Sequence, residues 1–417
     1  MDKAGKIDIQ PWMTATETTN VMVALTADGE PARFVGGCIR DAILGLSVGD
    51  IGDLDIDIAT PAPPKTVIAR LAAAGIKTVP TGIDHGSVTA IVDAAHFEIT
   101  TLRRDVETFG RHARVAFTDD WAVDAERRDF TMNALFSDVD GTLYDPTGGF
   151  ADLRAGRVRF VGDAAARIEE DALRLLRFFR FHALYGRLPP DAVALAACRA
   201  MADRLASLSG ERIWSEMRRI LLAPDPAAAL DLMAEYSVLD HVLPELRPRA
   251  RLAALCQLED RLGLESDANR RLSAVIDVTP DEAASLARRL RLSRREGSRI
   301  AAVAEHIQVL NSGMDAKTSR RALYQLGAQL FRDAILIGWA GDGVAAWAGP
   351  WRVAEGWTPP AFPLKGADAL ALGVAKGPAV GRVLGGVKEW WMDEDFGPDR
   401  AACLRRLRKE AAQAKGA

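Results

Sequence analysis

Residues 34–41 read FVGGCIRD and residues 53–60 read DLDIDIAT. The first stretch places an apolar pair before Gly36 and Gly37 and a helical pattern after them, which predicts a strand, a tight turn and a helix. Glycine lets the backbone approach a phosphate closely, and the N–H groups at the start of a helix carry partial positive charge. Arg40, in the first turn of that helix, can bind a phosphate through two hydrogen bonds. The stretch therefore predicts a phosphate site, although a Gly-Gly pair by itself is more often a packing device.

The second stretch carries two carboxylates at alternate positions. In an extended strand Asp55 and Asp57 project from the same face, about 6.6 Å apart along the chain, while Ile56 and Ile58 point into a core. Mg²⁺ is usually held by one or two carboxylates plus substrate phosphates, and two such ions can stabilise both oxygens of an in-line displacement. An isolated pattern of this kind is more often an acidic edge strand or turn. The neighbouring glycines favour a Mg²⁺ site on Asp55 and Asp57.

Charged residues recur at every third position further along the chain, at Asp171, Arg174, Arg177 and Arg180. On one helix of 3.6 residues per turn they would form an oblique band, and the residues between them are leucines and phenylalanines. Charges in so apolar a helix are costly unless they are paired, which favours a bound ligand. The alternative is a set of salt bridges, including one between Asp171 and Arg174.

Two more motifs complete the pattern: RRDFTMNAL at residues 127–135 and DPTGG at residues 145–149. In this order the motifs resemble those of the class II tRNA nucleotidyltransferases, which include bacterial CCA-adding enzymes and bacterial poly(A) polymerases, within the DNA polymerase β superfamily. The resemblance is dense from Phe34 to Phe181 and thinner beyond. It implies an α+β fold, in which a small mixed β-sheet forms a polymerase β-like head and an all-helical neck, body and tail follow.

The resemblance also implies roles for particular residues. Asp55 and Asp57 would be the catalytic, metal-binding aspartates, and the nucleotide would be bound by Gly37, Arg40, Arg128, Asp171, Arg174, Arg177 and Arg180. One departure is a short insertion before the aspartates, which puts Asp53 in phase with them. Asp57 precedes Ile-Ala-Thr, as the family's second aspartate does, and this favours Asp55 and Asp57; a shifted register that includes Asp53 is the alternative. Glu98 is either a third carboxylate near the metals or a solvated strand residue.

Asp171 and Arg174 have chemistry that suits base selection. A carboxylate only accepts hydrogen bonds and a guanidinium only donates them, so together they complement the Watson–Crick edges of cytosine and adenine. Guanine and uracil present the reverse order of donor and acceptor. Because buried polar mismatches can reject a substrate by ~10⁴-fold, one protein site could select both CTP and ATP.

Composition agrees with this reading without requiring it. The chain has 417 residues, 53 basic against 57 acidic, and is 48% hydrophobic, which supports more than one domain. Strand signals are confined to the first part and helical periodicity follows, which predicts a mixed head and a helical remainder. By the resemblance, these would be a catalytic head at residues 1–150, a neck with the nucleotide-binding helix at 151–245, and an RNA-binding body and tail at 246–417. The stretch from Leu102 to Asp124 is rich in both charge signs, which predicts a mobile loop. The resemblance implies that this loop helps to switch from C to A addition, and a surface loop without a role is the alternative.

Four cysteines without metal-ligand spacing indicate reduced thiols, and the first residues lack the pattern of a signal or transit peptide. We therefore expect a cytoplasmic protein with no membrane span. The sequence does not specify an oligomeric state.

The predicted activity is the addition of CCA to the tRNA 3′ end from CTP and ATP, with Mg²⁺ and without a template, releasing pyrophosphate. Three relatives of this activity remain open: poly(A) polymerase, CC-only addition and A-only addition. A catalytically silent RNA-binding protein is the alternative from another class.

Overall fold

The computed structural model describes residues 1–46, 54–109, 112–246 and 249–416. The chain forms two compact units, Met1–Pro244 and Glu245–Ala417. All the strands of the described residues lie in the first unit, and the second is built from helices. The predicted α+β fold, a mixed sheet followed by a helical remainder, is confirmed. The finer boundaries between head, neck and body stay predictions.

The strands of the first unit are β1 (Lys3–Lys6), β2 (Arg33–Val35), β3 (Ile56–Thr60), β4 (Lys77–Gly82), β5 (Ser87–Val92), β6 (Ala95–Thr101), β7 (Arg103–Phe109), β8 (His112–Phe117), β9 (Phe136–Ser137) and β10 (Thr142–Tyr144). Its helices are α1 (Pro11–Thr14), α2 (Thr16–Leu25), α3 (Gly37–Leu44), α4 (Pro64–Ala73), α5 (Trp121–Glu126), α6 (Gly149–Ala155), α7 (Ala164–Glu170), α8 (Leu173–Tyr185), α9 (Ala192–Ala200), α10 (Gly210–Leu221), α11 (Pro226–Glu235) and α12 (Leu239–Val242).

Eight strands form one sheet in the order β1-β10-β9-β2-β3-β6-β5-β4. The strand β3 lies near its middle, antiparallel to β2 and parallel to β6. Ile56 and Ile58 of β3 are buried, as their alternation with the aspartates predicts. The sheet therefore fixes the β3 strand from both sides and leaves its polar face to the site described below.

The stretch from Leu102 to Asp124 is mostly a β-hairpin, so the prediction of a loop is wrong. The strands β7 and β8 pair antiparallel, with Arg103 opposite Phe117 and Phe109 opposite His112, and the helix α5 begins at Trp121. The two strands pair with each other through their inward-facing backbone groups and are not part of the eight-stranded sheet. The hairpin therefore needs no apolar face against a larger sheet, and the apolar alternation sought in the sequence is not required.

The second unit contains α13 (Arg249–Leu262), α14 (Ala268–Val275), α15 (Pro280–Arg289), α16 (Arg294–His306), α17 (Ala316–Leu326), α18 (Ala328–Asp342), α19 (Ala348–Gly356), α20 (Gly366–Ala371), α21 (Pro378–Asp393) and α22 (Arg400–Gly416). Two apolar cores hold it together, one around Trp347 and Trp351 and the other around Trp391. In the described parts of both units, no helix combines the length and apolarity that crossing a membrane demands.

Candidate functional site

A cavity of about 820 Å³ in the first unit collects the residues that the sequence singled out. All nine predicted site residues line it: Gly37, Arg40, Asp55, Asp57, Arg128, Asp171, Arg174, Arg177 and Arg180. They come from the β2–α3 turn, the start of β3, the segment after α5, and the α7–α8 region. The fold thus brings four separated motifs to one place, while the role of each residue stays a prediction.

The predicted strand, turn and helix are present at the two glycines. The strand β2 ends at Val35, Gly36 has φ 76°, and α3 begins at Gly37. A Cβ atom at Gly36 would lie 3.6 Å from Oδ2 of Asp57 and 3.7 Å from Nη1 of Arg128. Left-handed backbone favours glycine, so the turn itself selects this residue. The absence of a side chain also brings the backbone directly against the carboxylate and the guanidinium.

Asp57 lies at the beginning of β3 and is half-buried, and Asp55 lies directly before the strand and is exposed. Burial raises the pKa of Asp57 to about 7, and the negative charges of Glu98 and Asp55 add to the rise, against the opposing charges of Arg128 and Arg40. A cation bound beside this carboxylate would favour its ionised form.

The other acidic residues near this pair have different positions. Glu98 lies on β6 directly beside Asp57 in the parallel register, is exposed, and is not among the described residues that line the cavity. Asp53 lies outside the described residues. Within the described ranges no group of three or more His, Cys, Asp or Glu side chains is placed to hold a metal ion. Any metal on Asp55 and Asp57 would thus need other ligands, such as phosphate oxygens and water.

A chain of hydrogen bonds holds Arg40 against the cavity wall. Its Nε and Nη2 donate to the two carboxylate oxygens of Asp41, each at 2.9 Å, and Nη1 donates to Oδ1 of Asn133 at 2.9 Å. Asn133 in turn donates to Oδ1 of Asp129 at 3.0 Å, and Arg177 Nε donates to Oδ2 of Asp129 at 2.8 Å. Burial alone would raise the pKa of Asp129, but Arg177 and these donors hold it below its ordinary value. The network fixes guanidinium groups from α3 and α8 in one arrangement.

Asp124 positions the two arginines of the RRDFT motif. It is fully buried, with Oδ1 accepting from Arg127 Nε at 2.8 Å and Oδ2 from Arg128 Nη2 at 2.9 Å. Oδ1 also accepts from the backbone N–H of Arg103, the first residue of β7, at 3.2 Å. Burial would raise the pKa of Asp124, but the charges of Arg128 and Arg127 hold it below its ordinary value. Asp124 therefore joins the hairpin to the site.

We expect Asp124→Ala to lower the free energy of unfolding by about 3 kcal/mol, because it leaves two partly buried guanidiniums without their carboxylate. Urea denaturation followed by circular dichroism measures the change. Asp120→Ala is the matched control, since Asp120 caps the same helix through the N–H of Ala122 and its loss should cost only about 1 kcal/mol. Equal losses in the two variants would contradict the role given to Asp124.

Asp171 does not lie on the same helix as the three arginines, so the predicted single band of four residues is wrong. The helix α7 ends at Glu170, Asp171 is extended with φ −151°, and α8 begins at Leu173. Oδ1 of Asp171 accepts from the N–H of Leu173 at 3.1 Å, which turns the chain into α8. Aspartate side chains often accept hydrogen bonds from backbone N–H groups at the start of a helix. Here this bond competes with the backbone hydrogen bonds of a continuous helix, and α7 and α8 are separate.

Asp171 is paired with Arg212 of α10 and not with Arg174. Arg212 Nη2 lies 3.0 Å from Oδ1 and 2.7 Å from Oδ2 of Asp171. Arg174 instead contacts Glu170 and donates to the carbonyl oxygens of Arg167 and Arg127, each at 3.1 Å. The carboxylate and the guanidinium are therefore held separately, by partners on different elements.

Arg180 also has a partner that the sequence analysis missed. Its Nε donates to Oε2 of Glu216 at 2.6 Å, and both side chains are buried. Arg212 and Glu216 are four residues apart on α10, so one face of that helix supports both ends of the charged series. The four-residue spacing of Arg212 and Glu216 was the signal that the sequence offered for these partners. The sequence around them does not indicate which residues α10 would contact. For Asp124, the signal was its position three and four residues before Arg127 and Arg128.

Comparisons with known protein families identify the same region. Residues 32–159 match the family described as Poly A polymerase head domain, and residues 190–249 match one described as Probable RNA and SrmB- binding site of polymerase A. The first match contains Gly37, Arg40, Asp55, Asp57 and Arg128. The residues from Asp171 to Arg180 lie between the two matched segments.

Individual relatives extend the similarity over most of the chain. The curated CCA tRNA nucleotidyltransferase 1, mitochondrial, of Mus musculus is 32% identical over 392 residues, which cover 90% of this chain and 86% of that protein. The CCA-adding enzyme of Geobacillus stearothermophilus is 39% identical over 244 residues, 57% of each chain. Among solved structures, the Bacillus stearothermophilus CCA-adding enzyme in complex with CTP matches with a TM-score of 0.75 at 25% identity, over 98% of this chain and 99% of that one.

Proposed function

Because this chain belongs to the family of CCA tRNA nucleotidyltransferases, we propose that it adds CCA to the 3′ end of tRNA from CTP and then ATP, without a nucleic-acid template, releasing pyrophosphate. The observation that carries the proposal is the single cavity in which two carboxylates on a strand face a group of arginines and a separately held aspartate. A polar cleft with convergent charged groups is the usual form of a site for a charged substrate.

The residues present fit Mg²⁺. Asp55 and Asp57 supply the oxygen ligands that this ion prefers, and a cation beside Asp57 would offset the burial and the neighbouring negative charges that raise the pKa of its carboxyl group. Bound there, Mg²⁺ would lower the pKa of the tRNA 3′-hydroxyl and neutralise the developing negative charge on the triphosphate.

The triphosphate is assigned to Gly37, Arg40 and Arg128. Gly37 opens α3, whose first N–H groups point away from the helix and suit an anion. Three hydrogen bonds to Asp41 and Asn133 occupy Arg40, which leaves donor capacity among the five N–H groups of a guanidinium. Because Asp124 and Asn133 already hold these arginines, little reorganisation is needed when the charged nucleotide binds.

Base selection is assigned to Asp171 and Arg174. Asp171 accepts three hydrogen bonds, from Leu173 and from Arg212, and a carboxylate has about four acceptor positions, so one remains for an amino group. Arg174 also uses three of its donors. Cytosine and adenine each offer an amino donor beside a ring-nitrogen acceptor, and the remaining capacity of the pair matches them. Arg177 and Arg180 are assigned to nucleotide binding from the α8 scaffold.

The hairpin β7–β8 is assigned a part in the change from C to A addition. Its support is the bond from the backbone of Arg103 to Asp124, which ties the start of the hairpin to Arg127 and Arg128. A movement of the hairpin would therefore displace Arg127, whose carbonyl oxygen accepts a hydrogen bond from Arg174.

A reducing compartment, the cytoplasm, is the proposed location. Cys38, Cys198 and Cys403 are buried thiols outside any disulfide, as is typical of proteins in reducing compartments. The mouse relative is named as mitochondrial, so cell fractionation with an antibody against the endogenous protein is the direct test.

We expect purified protein to extend a tRNA lacking its CCA end by two residues with CTP alone, and by three with CTP and ATP together. Labelled tRNA separated on a sequencing gel measures the product length. Extension that stops at two residues with both nucleotides would indicate CC-only addition, and extension only of a tRNA ending in CC would indicate A-only addition. A long ladder with ATP alone would indicate a poly(A) polymerase, and absence of any extension a non-catalytic RNA-binding protein.

A further inference from the structure

Eight arginines of the described residues line the cavity of the first unit, and they differ in whether a carboxylate balances their charge. Seven of them have an acidic partner: Arg40, Arg127, Arg128, Arg174, Arg177, Arg180 and Arg212. The eighth is Arg219 of α10, which forms no ion pair within the ranges that the structure describes. It is exposed, whereas the other seven are buried or half-buried. The described part of the cavity wall therefore leaves one cation without a carboxylate.

Arg219 lies on the face of α10 that already carries two residues of the site. Arg212, Glu216 and Arg219 are spaced by four and three residues, so their side chains leave the same side of the helix. Seven residues of α-helix advance by about 10 Å, which separates Arg219 from Arg212, the partner of Asp171, by that length of axis. Glu216, between the two arginines, is bonded to Arg180 at 2.6 Å. The helix thus presents one arginine at the Asp171 end of the cavity and an unpaired arginine farther along.

The opposite end of the cavity is formed by the last turns of α8. The guanidinium carbon of Arg40 lies 4.3 Å from the centre of the Tyr185 ring and 5.3 Å from that of Phe181, and the guanidinium carbon of Arg180 lies 4.5 Å from the Phe181 ring. Arg219 is close enough to act on Arg180, since burial lowers the pKa of Arg180 and the positive charge of Arg219 adds to the fall. Guanidinium groups from α3, α8 and α10 therefore meet at the end of the cavity that is farther from Asp171.

We propose that Arg219 binds the terminal phosphate of the incoming nucleoside triphosphate, an inference that rests on the proposed function. The base is assigned to Asp171 and Arg174, and the base and the terminal phosphate are opposite ends of the nucleotide. An unpaired arginine beside Arg40, at the end away from Asp171, is therefore placed for the last phosphate. That phosphate carries more negative charge than a phosphodiester of RNA, and the planar fork of arginine donates two parallel hydrogen bonds to it. Arg219 thus distinguishes a triphosphate from a diphosphate and acts alike on CTP and ATP.

Arg219→Ala tests the proposal in the full chain, and Arg218→Ala is the matched control. Both arginines are exposed in the last turn of α10, where a cation is favourable beside the unpaired carbonyl groups of the helix end. Arg218 also forms no ion pair with another described residue, but it is not among the described residues that line the cavity. The two variants should therefore have the same melting temperature, and only Arg219→Ala should change nucleotide binding.

Isothermal titration calorimetry with CTP, ATP and CDP, in Mg²⁺ and without tRNA, gives the dissociation constants. For Arg219→Ala we expect CTP and ATP to bind about tenfold more weakly, because a hydrogen bond to a charged group is lost. Binding of CDP, which lacks the terminal phosphate, should stay as in the unchanged chain. Arg219→Lys should keep part of the preference for CTP over CDP, because lysine retains the charge without the planar fork.

Three results would overturn the proposal. The first is an unchanged ratio of CTP to CDP affinity in Arg219→Ala. The second is a rise in the KM for tRNA with that ratio unchanged, which would assign Arg219 to the RNA. The third is an equal loss of CTP affinity in Arg218→Ala and Arg219→Ala, which would reduce the effect to the charge of the helix end.

The binding measurements need no transfer step, so they separate this proposal from the proposed function. If Arg219→Ala lost the preference for CTP over CDP and the unchanged chain extended no tRNA, the proposed function would fail while the contact with the terminal phosphate stood. If the unchanged chain added CCA to tRNA and Arg219→Ala kept the full preference for CTP over CDP, the proposed function would stand and the role of Arg219 would fail.

Discussion

Asp57→Ala is expected to reduce nucleotide transfer to tRNA by at least about 10³-fold, because the carboxylate would hold the metal that stabilises several kcal/mol of charge in the transition state. Asp55→Ala should have an effect of the same order. Neither variant should unfold, since Asp55 is exposed and Asp57 is half-buried at the edge of the cavity. Because burial raises the pKa of Asp57 to about 7, its ionised form costs stability at neutral pH and above, and removal of the carboxylate should raise the melting temperature there. The measurements are kcat/KM for CTP at saturating Mg²⁺ and thermal melting.

Glu98→Gln is the matched control for the aspartate variants. It removes one negative charge from the strand beside β3, at the position paired with Asp57, and should keep most of the activity. If Asp55→Ala remains active and Asp53→Ala does not, the register of the metal site is shifted. Activity in all three alanine variants would remove the carboxylates from the mechanism.

Asp171→Ala is expected to relax base selection by about 10²- to 10⁴-fold, measured as the ratio of kcat/KM for UTP or GTP to that for CTP or ATP on one truncated tRNA. The acceptor that repels the carbonyl oxygens of uracil and guanine is then gone, and mismatches of this kind account for discrimination of that size. Arg174→Ala should lower the use of CTP and ATP together, because both bases present a ring-nitrogen acceptor.

Arg177→Ala is the comparison for Asp171→Ala. Arg177 is held by Asp129, and its loss should weaken all four nucleotides without altering their ranking. Arg212→Ala should relax selection as Asp171→Ala does, but less, because it frees the carboxylate to move without removing it. An unchanged ranking in Asp171→Ala would leave the Asp171–Arg212 pair as a structural salt bridge only.

Local chemistry made the β2–α3 turn and the start of β3 predictable. The conformations of Gly36 and Gly37 and the alternation of Asp55 and Asp57 with buried isoleucines depend on residues close in sequence. The family resemblance identified Arg128, and the three-residue spacing of charges in an apolar stretch singled out the arginines of α8, but neither indicates where these side chains would lie in the fold. The structure places all of them on one cavity.

The features that were mispredicted or missed depend on contacts between distant residues. Asp171 was assigned to a helix because its spacing matched, but its side chain caps α8 and meets Arg212, which is 41 residues away. The partner of Arg180, Glu216, is 36 residues away. A single sequence does not show which face of one helix will pack against which face of another. The hairpin β7–β8 was missed because a charged two-stranded ribbon lacks the apolar alternation that reveals a half-buried strand.

Because β1 pairs with β10, the sheet of the first unit cannot be completed until the ribosome has synthesised β10. Lys3–Lys6 pairs with a strand that begins at Thr142. A ribosome adding about 5–20 residues per second needs on the order of 10 s to make the segment between them. During that interval β1 has no strand to pair with, but it is short, exposed and carries two lysines, features that discourage pairing with other chains. We therefore expect the eight-stranded sheet to be completed only after Tyr144 has emerged, without aggregation through β1 in the meantime.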